Sequence, residues 1–244
     1  MHVRAGAVVS NGVSLGSHSS VGKDARIGED CRIGCGVRIG RDVTLGARVR
    51  IHDNAVIGAD GFSFVTPEKG AVESAKSGDG RKSEVRGGGF ARIYSLAAVT
   101  VGDDVEIGAA TTLDRGTLRD TKIGARTKID NQVQIGHNVS VGSDCMLCAH
   151  VGIAGSAVIG DRVVLAGKVG IADHLKVGSD VLVAATSAVA TNVPDRSIYM
   201  GTPALPRDEM ARIVLATRRL PRLVKAVDEL KKRMSEMDSS TDLK

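Results

Sequence analysis

The sequence predicts an all-β chain wound as a parallel β-helix and finished by a short α-helical segment. Three observations carry that expectation. Aliphatic side chains recur every six residues, 30 glycines accompany only 5 aromatic residues with no Trp, and the six-residue period gives way to helical spacing near the C-terminus. A fixed repeat is read before anything else because it decides the architecture. From Val3 the sixth-residue positions are Val3, Val9, Leu15, Val21, Ile27, Ile33, Ile39, Leu45, Ile51 and Ile57. Val, Ile and Leu make up 61 of 244 residues, so ten hits in one phase would arise by chance about once in a million. The phase returns at Val101, Ile107 and Leu113, slips by four, and then runs unbroken from Ile123 to Val189.

A period of six fits neither an amphipathic helix nor a two-residue alternation, but it fits a short strand followed by a tight corner. Three such sides close a coil. Small or β-branched residues two before each aliphatic, such as Val37, Val43, Val133 and Cys145, supply a second inward row. The Gly that commonly follows the aliphatic is expected to provide positive φ and close approach at the corner. About eight coils at about 4.8 Å each give a prism roughly 40 Å tall.

Two interruptions are expected to leave the prism. Residues 66–89 hold six Gly and nine charged residues between Phe62, Phe64, Phe90 and Tyr94, a loop insertion that is either functional or disordered. The four-residue slip over 114–120 should project over a neighbouring face. The division is therefore a β-helix over 1–206 and a helical segment over 207–244, with the repeat ending at Val189. In the second part Pro221 marks a break. Leu220, Leu223, Val227, Leu230, Met234 and Met237 form an a/d seam, and the residues from Asp238 to Lys244 fray.

No 18-residue apolar run or basic leader is present, so neither a membrane span nor a secretory signal is expected and the location is cytoplasmic. Cys145 and Cys148 lack the second pair that a zinc site needs, and no metal is expected. The formal charge is +5. Residues 207–233 contain nine Lys/Arg and four Asp/Glu, which is 9 − 4 = +5, so all of the excess sits in that segment. It contains no aromatic residue, which argues against nucleic-acid binding.

Because a β-helix is only a scaffold, function has to be sought at its outward positions. His137 and His174 are 37 residues apart, two coils of 18 plus one, and should stack two levels apart near one edge. His150 falls on another edge unless two subunits meet. Two imidazoles on one groove suggest proton transfer, since a free imidazole is roughly three-quarters neutral at pH 7.

The stretches G-A-D-G-F-S-F (58–64), V-G-D-D-V-E-I-G-A-A-T-T-L-D-R-G (101–116), D-N-Q-V-Q-I-G-H-N-V (130–139) and G-I-A-D-H-L-K-V-G (170–178) resemble the UDP-3-O-acylglucosamine N-acyltransferase family of lipid A synthesis. The related UDP-N-acetylglucosamine O-acyltransferases usually carry His before R-G, where this chain has Asp114. The resemblance implies a left-handed β-helix of hexapeptide repeats. It also implies transfer of a 3-hydroxyacyl group from the phosphopantetheine thioester of acyl carrier protein to the 2-amine of the UDP-sugar, with no bound cofactor. His137 then corresponds to the general base and His174 to an oxyanion stabiliser. Asp130, Asn131, Asn138 and Gly155 fall at substrate-binding positions, with stacking on neighbouring coils as the lesser alternative for Asn131. The family also carries an N-terminal uridine-binding domain, whereas this chain opens directly in the repeat.

Four further expectations follow. A triangular prism and an a/d seam call for a homotrimer with sites between prisms. Ala184, Ala185, Ala188 and Ala190 leave room for an acyl tail. Arg218, Arg219 and Arg222 offer an acidic carrier a landing site just past the prism. The rival function is an acetyl-CoA-dependent sugar N- or O-acetyltransferase; a γ-type carbonic anhydrase would need a His pair five apart that is missing, and a non-catalytic scaffold would not need both His137 and His174.

Overall fold

The computed structural model describes residues 1–66, 89–201 and 204–241, with side chains as far as residue 234. The loop insertion expected over 66–89 falls, apart from its two end residues, outside the described residues, as do residues 242–244. Two compact units are separated at Gly201.

In the first unit the six-residue period becomes a parallel β-helix with three sheets of nine, eight and nine strands. Most strands are only two residues long. One face runs from His2–Val3 through Gln134–Ile135 and Gly152–Ile153 to Ala188–Val189. Each strand pairs in register with the strand one coil on, as Gln134 does with Gly152 and Gly152 with Gly170. From Val21 onward the aliphatics of the period point inward and are almost wholly buried, with Ile57, Ile107, Ile135 and Leu147 at 0% exposure, whereas Val3 and Val9 in the first coil are exposed. The second inward row, including Val37, Val43 and Val139, is buried as well. With no large ring to accommodate, the core is a stack of thin aliphatic layers.

Two details of the repeat differ from expectation. Positive φ falls regularly three residues after the aliphatic, at Asp144 (59°), Ser156 (63°), Arg162 (55°) and their equivalents, and on the Gly after the aliphatic at Gly58 (90°). Elsewhere the Gly after the aliphatic is required for close approach: a Cβ on Gly160 would lie 2.6 Å from the backbone N of Ser179 on the next coil. The stack also has nine coils rather than about eight. After Val189 the phase slips by four, Val193 bridges to Val177, and Ile198–Tyr199 pairs with Leu182–Val183. Pro194 follows that slip without ending the coil, since it sits at a corner where its missing N–H is not needed.

The left-handed corner position also carries an alternating column of Arg48, Asp104, Arg126, Asp144, Arg162 and Asp180 on one edge. Arg126 donates to Asp144 from Nε and Nη2 at 2.6 Å each, and Arg48–Asp104 and Arg162–Asp180 are bidentate in the same way. These bonds hold the carboxyls of Asp104, Asp144 and Asp180 below the ordinary range.

The second unit contains one helix, Arg207–Thr241, which continues through Pro221 instead of breaking there. Its residues are exposed around Pro221, so water can solvate the Thr217 carbonyl that loses its helical partner. Asp208 and Glu209 in the first turn complement the helix dipole. Leu220, Leu223, Val227, Leu230 and Met234 of the seam are 40–65% exposed within the chain, and the side chain of Met237 lies beyond those described. Among the described residues no helix is long and apolar enough to cross a membrane.

Candidate active site

His137 stands at the corner that follows Gln134–Ile135, one residue before Asn138, whose φ is 62°. Its carbonyl accepts from the backbone N of Ser156 on the next coil at 2.9 Å, which fixes the main chain. The imidazole is enclosed by two glycines. A Cβ on Gly155 would lie 2.7 Å from Cε1 and 2.8 Å from Nε2, and a Cβ on Gly61 would lie 2.7 Å from the His137 Cβ. Any larger residue at either position would push the ring aside.

Both ring nitrogens have partners. Nδ1 is 3.0 Å from Asn138 Oδ1, and Nε2 is 3.1 Å from Ser63 Oγ. The Asn138 amide is oriented because its Nδ2 donates to the Arg119 carbonyl at 2.9 Å while its Oδ1 accepts from the Thr117 N–H and hydroxyl. Asn138 Oδ1 must therefore accept from His137 Nδ1–H, and in the neutral ring the lone pair is left on Nε2.

Beside this base lies the D-R-G segment. Burial pushes the Asp114 carboxyl up to about 6, opposed by a hydrogen bond from Gln134 and by the charge of His137. Arg115 is 3% exposed and donates to the carbonyls of Ala97 at 2.8 Å and Arg41 at 2.7 Å. It braces the slip, and the end of that slip leaves Leu118 84% exposed.

The other expected site residues are distributed as follows. His174 stacks in the column of Asn138 and Ser156, two coils on, with φ 59°, and its backbone N donates to the Gly155 carbonyl at 3.1 Å. Asp130 and Asn131 occupy the corner before Gln134–Ile135, so they and His137 bound opposite sides of one face. Asn131 Oδ1 accepts from the Ala109 N–H at 2.7 Å. Asp53, Asp103, Asp161 and Asp195 do the same for their own neighbouring coils. In this chain the Asn131 side chain is thus one rung of a capping ladder.

A groove of about 510 Å³ runs past that corner and is lined by His52, Glu106, Lys128, Asp130, Asn131 and Met146. There His52 Nε2 lies 2.8 Å from Glu106 Oε1 and holds the Glu106 carboxyl below its ordinary range. His150 belongs to the Asn131 corner, donating its backbone N–H to the Asn131 carbonyl at 3.2 Å. Gly155, expected to meet substrate, makes room for the His137 ring. Ala188 continues the outward line of Gly152 and Gly170, where a Cβ would meet nothing within 4 Å, while Ala185 lies exposed at the preceding corner. Arg218, Arg219 and Arg222 are exposed on the helix of the second unit. Ser63 and Gly61, brought in by the segment that leaves the prism, and Gln134, which meets Asp114 on the adjacent coil, are additions from the structure, since side-chain contacts of these kinds leave no mark on the spacing.

Known proteins resemble this chain in sequence and in fold. The family described as bacterial transferase hexapeptide (six repeats) matches residues 24–59 and 120–155. A UDP-3-O-acylglucosamine N-acyltransferase of Ruegeria pomeroyi is 52% identical over 182 residues, which is 75% of this chain and 50% of that protein. Its counterpart in Paracoccus denitrificans is 55% identical over 109 residues, covering 45% of this chain and 30% of that protein. The chain thus spans half or less of the length of these relatives. The crystal structure of a UDP-N-acetylglucosamine O-acyltransferase from Moraxella catarrhalis superposes with a TM-score of 0.69 at 23% identity, over 97% of this chain and 90% of that one. At that identity it shows a shared fold. The resemblance carried by the four motifs is borne out.

Proposed function

We infer that this chain belongs with the UDP-3-O-acylglucosamine N-acyltransferases and moves a 3-hydroxyacyl group from the thioester of acyl carrier protein to the sugar's 2-amine. The observation that carries this reading is the His137 imidazole, fixed between Gly61 and Gly155 and held by Asn138 as the tautomer whose Nε2 can accept a proton. No enzyme nucleophile is needed. The amine nitrogen attacks the thioester carbonyl, Nε2 takes the proton released from nitrogen, and the tetrahedral oxyanion collapses with cleavage of the C–S bond. The departing thiolate recovers a proton, leaving an amide and a thiol. Oriented proton transfer of this kind contributes about 10² to 10⁴ in rate.

His174, two coils along the same edge, is assigned to the oxyanion, and Asp130 to the sugar across the face. These groups would close on one substrate where two prisms meet, which makes a homotrimer the assembly that fits the site. Met146, Val158, Leu182 and Ile198, 39–78% exposed on the prism faces, supply apolar area for that contact. The acyl tail is assigned to the open line over Gly152, Gly170 and Ala188, and the acidic carrier to the arginines of the helix.

The test offers acyl carrier protein thioesters and acetyl-CoA side by side to UDP-sugar amines, with the wild type and His137→Ala. Long-chain transfer that falls about 10² to 10⁴-fold in the variant is expected. Transfer from acetyl-CoA alone would replace this reading with the acetyltransferase, and undiminished turnover by His137→Ala would remove the base.

A further inference from the structure

We propose that Ser63 is a positioning residue for His137, holding the Nε2 lone pair of the free site until the acceptor amine takes its place; this rests on the reading of His137 as the base. Ser63 lies in the strap that leaves the prism after Val56–Ala59 and enters the hairpin of Phe64–Val65 with Ala91–Arg92. The strap is braced on every side. The Gly61 N–H donates to Ser95 Oγ at 3.1 Å, Arg92 donates to the Gly61 carbonyl at 3.2 Å, and the Ile93 N–H donates to the Ser63 carbonyl at 3.0 Å. The Arg92 guanidinium sits 4.5 Å from the centre of the Phe64 ring, which in turn packs edge-on against Phe62 at 5.0 Å. A serine so held keeps its place, and the 3.1 Å from its hydroxyl to Nε2 is a product of the frame.

Chemistry fixes the direction of that bond. With Nδ1–H committed to Asn138 Oδ1, a neutral His137 offers only a lone pair at Nε2, and the one hydroxyl proton of Ser63 is the donor that meets it. The acceptor amine must deliver its own N–H to the same lone pair, along the same in-plane direction. Ser63 therefore marks where that amine nitrogen comes to lie. It also completes the restraint of the ring: Gly155 and Gly61 limit its translation, Asn138 anchors one edge, and Ser63 anchors the other. An amine that replaces the hydroxyl exchanges one hydrogen bond for another and finds the base already aimed.

Ser63→Ala and Ser63→Thr are the variants, read by two measurements on the full chain. In the ¹⁵N spectrum of the free protein, Ser63→Ala should move the Nε2 resonance of His137 away from the hydrogen-bonded position while Nδ1 stays protonated, and Ser63→Thr should restore it. In steady-state transfer, Ser63→Ala should lower kcat by about three- to tenfold, because a ring unheld on that side lets a share of the acceptor complexes form misaligned, with the acceptor's KM unchanged or lower because no hydroxyl has to be displaced. Ser63→Thr should recover most of kcat. An unmoved Nε2 resonance would overturn the proposal, as would a kcat loss with raised KM that Thr does not repair. So would a mass increase showing acyl transfer onto Ser63, because the hydroxyl would then be a nucleophile. The two levels separate cleanly: full turnover by His137→Ala removes the base itself, whereas full turnover by Ser63→Ala beside an inactive His137→Ala removes only the role of Ser63.

Discussion

Replacing Asp114 by Asn should make the protein more stable and less active, with the stability gain confined to one side of a pH window. Burial raises the Asp114 carboxyl from 3.8 to about 6. A displacement of that size corresponds to about 3 kcal/mol at 1.36 kcal/mol per pH unit. The side chain is only partly buried, so solvent screening reduces the expected effect to about 1–2 kcal/mol. The sign follows from proton counting. Between about pH 4 and 6 the folded protein binds more protons at this position than the unfolded chain, so wild-type stability falls as pH rises through that window. Asn carries no such proton, and it keeps an oxygen that can accept from Gln134. Urea unfolding should therefore show Asp114→Asn level with wild type near pH 4 and ahead of it by about 1–2 kcal/mol at pH 7. Turnover should fall about tenfold, because the carboxylate faces the cation that His137 becomes when it takes the amine's proton. A stability difference that ignores pH, or a wild type that is the more stable at pH 7, would refute this account of the carboxyl.

Gly155→Ala tests the space beside the base: a Cβ 2.7 Å from Cε1 must displace the His137 ring, so kcat should drop by about 10² with the unfolding midpoint little changed. Wild-type turnover in that variant would show that the ring does not depend on the gap. The Arg–Asp column tests stability in acid. The folded forms of Asp104, Asp144 and Asp180 have depressed pKa values, so their contribution is complete above about pH 4 and is lost as pH falls through the folded values. Denaturation scans from pH 5 to pH 2 should show this loss, blunted in 1 M salt and in Arg126→Met. An acid limb indifferent to both would remove the column from the stability of the prism.

The fold was legible because a coil has only a few jobs to fill and repeats them. One position in six must be aliphatic, one must be small, and one must let a neighbouring backbone approach, and each leaves a sign in the sequence. The details that escaped are those where several residue types do one job. The left-handed corner accepts Asp144, Arg162, His174 and Thr186 alike, because each coil's hydrogen bonds enforce a conformation that an isolated residue would avoid. Gly6, Gly12, Asp24, Asp30, Gly36, Asp42 and Asn54 mark it in the early coils, but the mixed residues of the later coils dilute that sign and the preceding Gly stands out more. The last coil was missed for a related reason: one four-residue slip after Val189 hid Val193 and Tyr199 from a strict count of six, although both pair where a further coil requires.

The site was legible to the extent that it lies along the repeat. His137 and His174 could be stacked by counting, because 37 residues is two coils and one step. Asn131 shows the limit of such counting: its D-N setting pointed to substrate, yet its oxygen caps Ala109 as the neighbouring aspartates cap their own coils. What counting cannot reach is the approach of segments that leave the repeat and come back. Ser63 is 74 residues before His137 and meets it through a strap whose length obeys no period. The prism therefore sets where a base can stand, whereas the departures from it, the strap at Gly61–Ser63 and the slip that carries Asp114, decide how that base is aimed and charged. A chain with the same hexads and a different strap would keep the imidazole at the same corner with its Nε2 held differently, so the chemistry of the site depends most on the parts of the sequence that break its rule.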